Sequence, residues 1–99
     1  FGLVRLNDHT LSAARNRGLK NEPIAYFRDN LVVTTSGNFC FSALKCTIEM
    51  LGIDNVMFSV DWPYESNKVA AKFLNDVPLK DEDKEKLAFR NAERILGLV

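Results

Sequence analysis

A short apolar run with an alternating pattern constrains the fold of this chain more than any other segment. Residues 56–60 read VMFSV. In a strand they would put Val56, Phe58 and Val60 on one face, because successive side chains point to opposite sides. Three bulky apolar side chains on one face are suited to packing beneath helices. Pro63 follows closely, and its missing N–H group predicts that the strand ends before it.

Asp61 comes directly after this run, on the face opposite to the three bulky residues. In parallel α/β sheets the chemistry takes place just beyond the carboxyl ends of the strands. A carboxylate that leaves a buried strand there is therefore a candidate metal ligand or general base. The alternative interpretation is that Asp61 only caps the loop before Pro63.

The whole pattern predicts the order helix, strand, helix, strand, helix, helix. Residues 11–17 have helical character ahead of this order and are ended by Gly18, and the first helix of the order, at 23–30, begins with a proline. Residues 31–35 are rich in β-branched side chains and predict a strand. Residues 36–38 predict a turn that could cap the next helix.

Three helices are predicted in the remainder of the chain. The helix between the two strands closes at Gly52, and its apolar side comprises Phe41, Leu44, Ile48 and Leu51. Ser66 or Asn67 caps the next helix, which Pro78 ends. The apolar stripe of that helix comprises Val69, Ala70, Phe73, Leu74 and Val77. The last helix starts near Asp81, and its apolar side comprises Leu87, Ala88, Ala92, Ile95 and Leu96.

Alternating strands and helices predict an α/β fold with right-handed crossovers and parallel strands. Two parallel strands do not form a stable sheet by themselves. The rest of the sheet is therefore expected from residues upstream of Phe1 or from another chain. The missing initial methionine agrees with a chain that is a piece of a larger domain.

Charge and composition argue against several kinds of partner. Thirteen basic residues balance thirteen acidic ones, so no basic excess exists to displace counterions from nucleic acid. No apolar stretch approaches ~18 residues, which argues against a membrane span. The spacing of Cys40 and Cys46 suits neither a disulfide nor a zinc site. Both are expected to be buried free thiols in a reducing compartment, as in a cytoplasmic protein.

Three segments of the chain resemble the amidohydrolase superfamily. They are TTSGNF at 34–39, MFSVDWPYE at 57–65, and Asn91-Ala92 followed by ILGL at 95–98. The resemblance is closest to the nonoxidative decarboxylases of 2,3-dihydroxybenzoate, γ-resorcylate and salicylate. It implies that residues 1–99 are the C-terminal segment of a single TIM (β/α)8 barrel domain. This segment would contain the last two βα units and a C-terminal helix.

The resemblance implies a metal-dependent decarboxylase, a carboxy-lyase, that acts on hydroxylated aromatic carboxylic acids. It also implies one divalent metal ion (Zn, Mn or Mg), a small aromatic carboxylic acid as substrate, and a homo-oligomeric parent protein, either a dimer or a tetramer. The other metal ligands and the acid/base group would lie upstream of Phe1, so the isolated chain is expected to be inactive. Two alternatives stay open. One is a metal-dependent hydrolase of the same superfamily, and the other is a non-catalytic truncated relative.

The resemblance also assigns individual residues. It implies that Asp61 binds the metal at the end of the eighth barrel strand and takes part in the acid–base step. Tyr64 matches an aromatic wall of the substrate pocket, with an ordinary half-buried loop tyrosine as the alternative. Arg5 resembles an arginine that reaches the substrate of a neighbouring subunit in some relatives, with a surface or structural ion pair as the alternative. Glu65 is expected in a loop or salt-bridge role, and His9 at a solvated position in a loop or at a helix start.

Overall fold

Two helices form the amino-terminal part of the chain. The computed structural model describes residues 2–98 and divides into two compact units between Leu31 and Val32. In the first unit, α1 spans Gly2–Asn16 and α2 spans Pro23–Asn30. The bounds of α2 confirm the prediction, and its proline stands at the first turn, where no intrahelical N–H bond is lost.

The first helix is longer than the segment predicted at 11–17, and two polar side chains within it bond to main-chain groups. Thr10 donates its hydroxyl proton to the Leu6 carbonyl at 2.6 Å. Asn7 accepts a hydrogen bond from the Ile24 N–H at 3.0 Å, which satisfies a free amide in the first turn of α2. His9 is exposed, as expected, but lies within α1 rather than in a loop or at a helix start.

Two short parallel strands stand at the centre of the second unit. β1 spans Val33–Thr34 and β2 spans Val56–Met57, with Val33 opposite Val56 and Thr34 opposite Met57. The helix α3, Phe41–Leu51, connects them and is followed by Gly52 with a positive φ of 86°. This arrangement confirms the α/β pattern with parallel strands. Both strands are shorter than the predicted runs.

The remaining helices cover the strands. A 3-10 turn at Ile53–Asn55 leads into β2, and α4 spans Asn67–Asp76. The terminal helix consists of α5, Asp81–Glu85, a π-helical turn, Lys86–Arg90, and α6, Asn91–Leu96. The buried core comprises Leu44, Val56, Phe73, Val77 and Leu87. Phe58 packs against this core, as its position in the alternating pattern predicts.

Two predicted features of these helices are right in part. Ser66 is the N-cap of α4 and accepts from the Val69 N–H at 3.5 Å, as predicted. The Val69 side chain, however, is 54% exposed and does not belong to the buried stripe. The residue before α3 is Cys40, with no side-chain cap, so the predicted cap from the 36–38 turn is wrong.

The cysteines and the helix lengths bear on two further predictions. Cys40 and Cys46 are free thiols, which confirms that they do not bridge each other. Their predicted burial is wrong, since Cys40 is exposed and Cys46 is half-buried. Within residues 2–98, no helix is long and apolar enough to cross a membrane.

The π-helical turn binds the terminal helix to β2. In this turn the Asn91 N–H bonds to the Lys86 carbonyl instead of the Leu87 carbonyl. The Leu87 carbonyl is thereby available to the Phe58 N–H, which it accepts at 2.8 Å. Just beyond the end of β2, a helix carbonyl thus supplies the hydrogen-bond acceptor that a neighbouring strand would otherwise supply.

Asn91 strengthens the same attachment. Its side chain is 2% exposed and donates to the carbonyls of Ile53 and Val56 at 2.7 and 2.8 Å. The buried side of the terminal helix is therefore centred on Leu87 and Asn91. The predicted apolar side was wrong at its far end, since Leu96 is 65% exposed. Apolar spacing alone could not identify a buried amide as the centre of this side.

Lys86 lies beside the start of β2. Its ammonium is 3.1 Å from a carboxylate oxygen of Asp54 and 3.8 Å from one of Glu82, and its side chain is only 28% exposed. The hydrogen bond to Asp54, together with the charge of that carboxylate, raises the pKa of Lys86 above its ordinary value of 10.5. This ion pair joins the π-helical turn to the 3-10 turn.

Replacement of the buried amide should weaken the second unit. Asn91→Leu keeps the branched shape of the side chain but removes the donor for two buried carbonyls, and we expect a loss of about 2–4 kcal/mol in the free energy of unfolding. Urea unfolding followed by circular dichroism measures this loss. Asn75→Leu, on an exposed position of α4, is the matched control and should change stability by less than about 0.5 kcal/mol. Equal stability of the two variants would contradict this account of Asn91.

The contribution of Lys86 to stability should depend on pH. Because the folded state holds the Lys86 proton more tightly than the unfolded chain, the stabilisation is complete below the unfolded pKa and disappears as the pH rises through the folded pKa. Lys86→Met should therefore lower the urea midpoint at neutral pH, and the difference from the unsubstituted chain should vanish well above pH 10.5. Lys45→Met removes an ammonium that is 79% exposed and should change little at either pH. A difference that persists at high pH would argue against the ion pair.

Candidate active site at the carboxyl edge of the strands

The carboxyl ends of β1 and β2 lie at one edge because the strands are parallel. The chain leaves β1 through Thr35 and a turn at Ser36 and Gly37, and leaves β2 through residues 58–61. Most polar side chains near this edge carry hydroxyl groups. Ligands of parallel α/β sheets bind at such edges, so it is the candidate site.

Thr35 connects the two strands beyond their ladder. Its N–H donates to the Met57 carbonyl at 3.0 Å. Its hydroxyl donates to the Ser59 carbonyl at 2.7 Å and accepts from the Ser59 N–H at 2.9 Å. Thr35 is only 6% exposed, so these bonds are largely shielded from water. Both main-chain groups of Ser59 are satisfied by one side-chain atom.

Three further hydroxyls form a chain across the edge. Thr34 Oγ1 and Ser36 Oγ are 2.7 Å apart, and Ser36 Oγ donates to Ser59 Oγ at 3.2 Å. Since each hydroxyl has one proton and that of Ser36 is used, Thr34 is the donor in the first pair. The proton of Ser59 is then available for an acceptor outside the chain of hydroxyls. Successive donation in one direction strengthens the last donor.

The two loops at this edge contact each other. The turn after β1 is closed by the Asn38 N–H, which bonds to the Thr35 carbonyl at 2.7 Å. Gly37 has a φ of 73°, and a Cβ on it would lie 3.1 Å from Cγ of Glu65. The side chain of Glu65 therefore lies against this turn. The contact agrees with the loop role expected of Glu65.

Asp61 begins the loop that follows β2. It is exposed and has a positive φ of 72°. Its backbone carbonyl accepts from the N–H groups of Tyr64 and Glu65 at 3.0 and 3.1 Å. The turn is therefore closed by the main chain of Asp61, and its carboxylate is presented to solvent. Within this loop the Trp62–Pro63 peptide bond is cis.

The predicted site residues are brought together in part. Asp61 and Tyr64 stand three residues apart on one loop, and Tyr64 is 85% exposed rather than half-buried. Arg5 is exposed on α1, in the amino-terminal unit. Thr35 and Ser59 were not predicted as site residues, since a β-branched threonine and an alternating serine both fit an ordinary strand. In the sequence, only the position of hydroxyl residues at the ends of both strands indicated that Thr35 and Ser59 could belong to the site.

The donor atoms at this edge suit one part of a metal site. A carboxylate such as that of Asp61 is a hard oxygen ligand, which Mg²⁺ and Mn²⁺ prefer and Zn²⁺ accepts. Both charged residues of the loop, Asp61 and Glu65, are acidic. In the part of the chain that the structure describes, however, no three His, Cys, Asp or Glu side chains lie together as a metal-binding group. Asp61 can thus supply one ligand, and a complete coordination shell needs more.

Comparison with known proteins relates this architecture to a group of enzymes. The profile of the family described as Amidohydrolase matches residues 22–98. Over 79 residues the chain is 34% identical to the γ-resorcylate decarboxylase of Polaromonas sp. strain JS666, an alignment that covers 80% of this chain and 24% of that protein. The chain therefore spans about a quarter of the length of this relative.

Two solved structures have a similar fold. One is 5-carboxyvanillate decarboxylase LigW from Sphingomonas paucimobilis, with a TM-score of 0.83 and 38% identity over 94% of this chain and 29% of that one. The other is a dihydroxybenzoic acid decarboxylase from Polaromonas sp. JS666 with bound manganese and the inhibitor 2-nitroresorcinol. Its TM-score is 0.74, with 28% identity over 97% of this chain and 32% of that one. The family match extends over both strands, Thr35 and the Asp61 loop, and we conclude that the chain belongs to the amidohydrolase family.

Proposed function

We propose that this chain is part of a metal-dependent, nonoxidative decarboxylase of hydroxylated aromatic carboxylic acids. The observation that carries the proposal is the similarity to 5-carboxyvanillate decarboxylase over 94% of the chain at 38% identity. The γ-resorcylate decarboxylase of Polaromonas supports the same substrate class. In the proposed reaction the bond between the ring and its carboxylate breaks, CO₂ leaves, and the ring carbon takes up a proton.

We further propose that residues 1–99 form the last two βα units and the C-terminal helix of a TIM barrel. Two parallel strands with a helical crossover are the arrangement that such units require. The position of Asp61 beyond the carboxyl end of β2 agrees with the barrel face where catalytic residues lie. The homo-oligomeric state implied by the resemblance and the cytoplasmic location expected from the free cysteines stay predictions.

Asp61 is proposed to bind one divalent metal ion. The manganese in the Polaromonas decarboxylase supports this role, and manganese, zinc and magnesium all accept a carboxylate ligand. A bound cation would offset the repulsion between an anionic substrate and an acidic site, and would polarise the substrate oxygens. The carboxylate is suited to this role because it is exposed. The loop is closed by backbone hydrogen bonds and does not need the carboxylate for its closure.

Other side chains are proposed to orient the substrate. The available proton of Ser59 can donate to an anionic oxygen, since the other hydroxyls of the edge donate towards it. The exposed ring of Tyr64, three residues after Asp61, offers an aromatic surface for the substrate ring. Arg5 is proposed to bind the carboxylate of a substrate in a neighbouring subunit, for which its exposed guanidinium is suited.

Asp61→Asn tests the proposal in a chimera that joins the full chain to the upstream part of the Polaromonas decarboxylase. Asparagine keeps the shape of the side chain but loses the negative charge that a hard cation favours. Loss of a direct ligand should cost more than loss of an outer hydrogen bond, so we expect a decrease on the order of 100-fold or more in CO₂ release, with weaker manganese retention. Enzyme assay and metal analysis of the purified chimera measure the two effects.

Two control variants accompany this test. Tyr64→Phe keeps the aromatic surface and should retain activity, and Asp29→Asn makes the same chemical change on an exposed position of α2 and should leave both readouts unchanged. Full activity and full metal content in the Asp61→Asn chimera would refute the ligand role. Metal-dependent hydrolysis of a lactone or amide without CO₂ release would favour the hydrolase alternative.

A further inference from the structure

We propose that Thr35 is a positioning residue, which fixes Ser59 and thereby the loop that presents Asp61. The functional consequence of this role rests on the proposed function of Asp61 as a metal ligand. The positioning itself is a property of the fold and can be tested separately. No feature of the sequence other than its place after β1 distinguishes Thr35 from an ordinary strand residue.

Both main-chain groups of Ser59 bond to the side chain of Thr35. The N–H and the carbonyl of Ser59 both bond to the hydroxyl, at 2.9 and 2.7 Å. In a continued parallel ladder these two groups would bond to the main chain of the neighbouring strand. That chain turns away at Ser36 and Gly37, so the side chain of Thr35 replaces the missing strand. The bonds fix the direction of the chain in the segment that leads to Asp61.

The Thr35 side chain is buried at the edge of the strands. Thr35 is 6% exposed, and its N–H bond to Met57 at 3.0 Å holds its own backbone to β2. The backbone of Thr35 therefore holds the hydroxyl in place, and burial shields it from water that would compete for its hydrogen bonds. A buried hydroxyl that both donates and accepts has little freedom to reorient, so it transmits the position of one strand to the other.

Ser59 lies only a short distance along the chain from the Asp61 carboxylate. One residue, Val60, separates Ser59 from Asp61, and two residues span at most about 7 Å. The Asp61 carbonyl then accepts from the N–H groups of Tyr64 and Glu65. A displacement of Ser59 is thus carried directly into the turn that orients the carboxylate. The exchange of the Tyr64 and Glu65 amides reports on this turn.

The test compares two substitutions in the chimera that joins the full 99-residue chain to the upstream part of the Polaromonas decarboxylase, in which β1 and β2 have the rest of their sheet. Thr35→Val keeps the branched shape but removes the hydroxyl, whereas Thr35→Ser keeps the hydroxyl. In Thr35→Val we expect amide hydrogen exchange, followed by NMR, to accelerate by about tenfold or more at Ser59, Tyr64 and Glu65. In Thr35→Ser the same amides should exchange within about threefold of the unsubstituted rates, because the hydroxyl is retained.

Two internal references separate positioning from a general loss of stability. The Gly52 N–H, bonded to the Ile48 carbonyl at 2.8 Å at the end of α3, should keep its exchange rate in Thr35→Val. Thr47→Val removes a hydroxyl that bonds to the Ala43 carbonyl within α3, and it should leave the Ser59 amide unchanged. Unchanged exchange at Tyr64 and Glu65 in Thr35→Val, or equal acceleration at Gly52, would overturn the proposal.

The chimera gives the functional readout. There Thr35→Val should weaken manganese affinity by roughly 10–100-fold, the range for residues that orient a ligand, while Thr35→Ser restores it. Unchanged affinity in Thr35→Val, together with a loss in Asp61→Asn, would show that the loop does not need Thr35. Unchanged affinity in Asp61→Asn would refute the ligand role of Asp61 instead, and the exchange rates would still decide whether Thr35 holds the loop.

Discussion

The second unit depends on the hydrogen bonding of β2 beyond its two paired residues. On the side facing β1, Thr35 bonds to the Met57 carbonyl and then to both main-chain groups of Ser59. The Val56 carbonyl and the Phe58 N–H are instead bonded to the terminal helix. A buried strand cannot leave such groups unpaired without a large penalty. Side chains and a helix carbonyl therefore replace a neighbouring strand.

The π-helical turn is what makes the attachment of the terminal helix possible. In a regular α-helix the Leu87 carbonyl would be bonded to the Asn91 N–H. The wider turn moves that N–H to Lys86 and releases one carbonyl for Phe58. The same turn places the Asn91 side chain over the carbonyls of Ile53 and Val56. One local change in helix geometry thus supplies both contacts to the strand that leads to the site.

Features with local signals were predictable from the sequence, and features that need a distant partner were not. Pro23 predicted the start of α2 and Gly52 the end of α3, because proline and glycine act through their own backbone. Alternation and Pro63 together predicted a strand followed by Asp61. The burial of Asn91 was missed, since an amide becomes favourable in a core only when carbonyls elsewhere in the chain face it. The paired contacts of Thr35 were missed for the same reason.

The backbone of Asp61 gives an independent reason to regard this position as functional. A left-handed φ of 72° costs most L-residues roughly 1–2 kcal/mol and aspartate less, whereas glycine avoids this cost. The N–H groups of the loop bond to the Asp61 carbonyl, which glycine would supply equally well. The carboxylate therefore adds nothing to the closure of this turn, yet the chain carries it there at a conformational cost. Such strain is characteristic of residues whose side chains serve a site, and it supports the proposed role of the Asp61 carboxylate as a metal ligand.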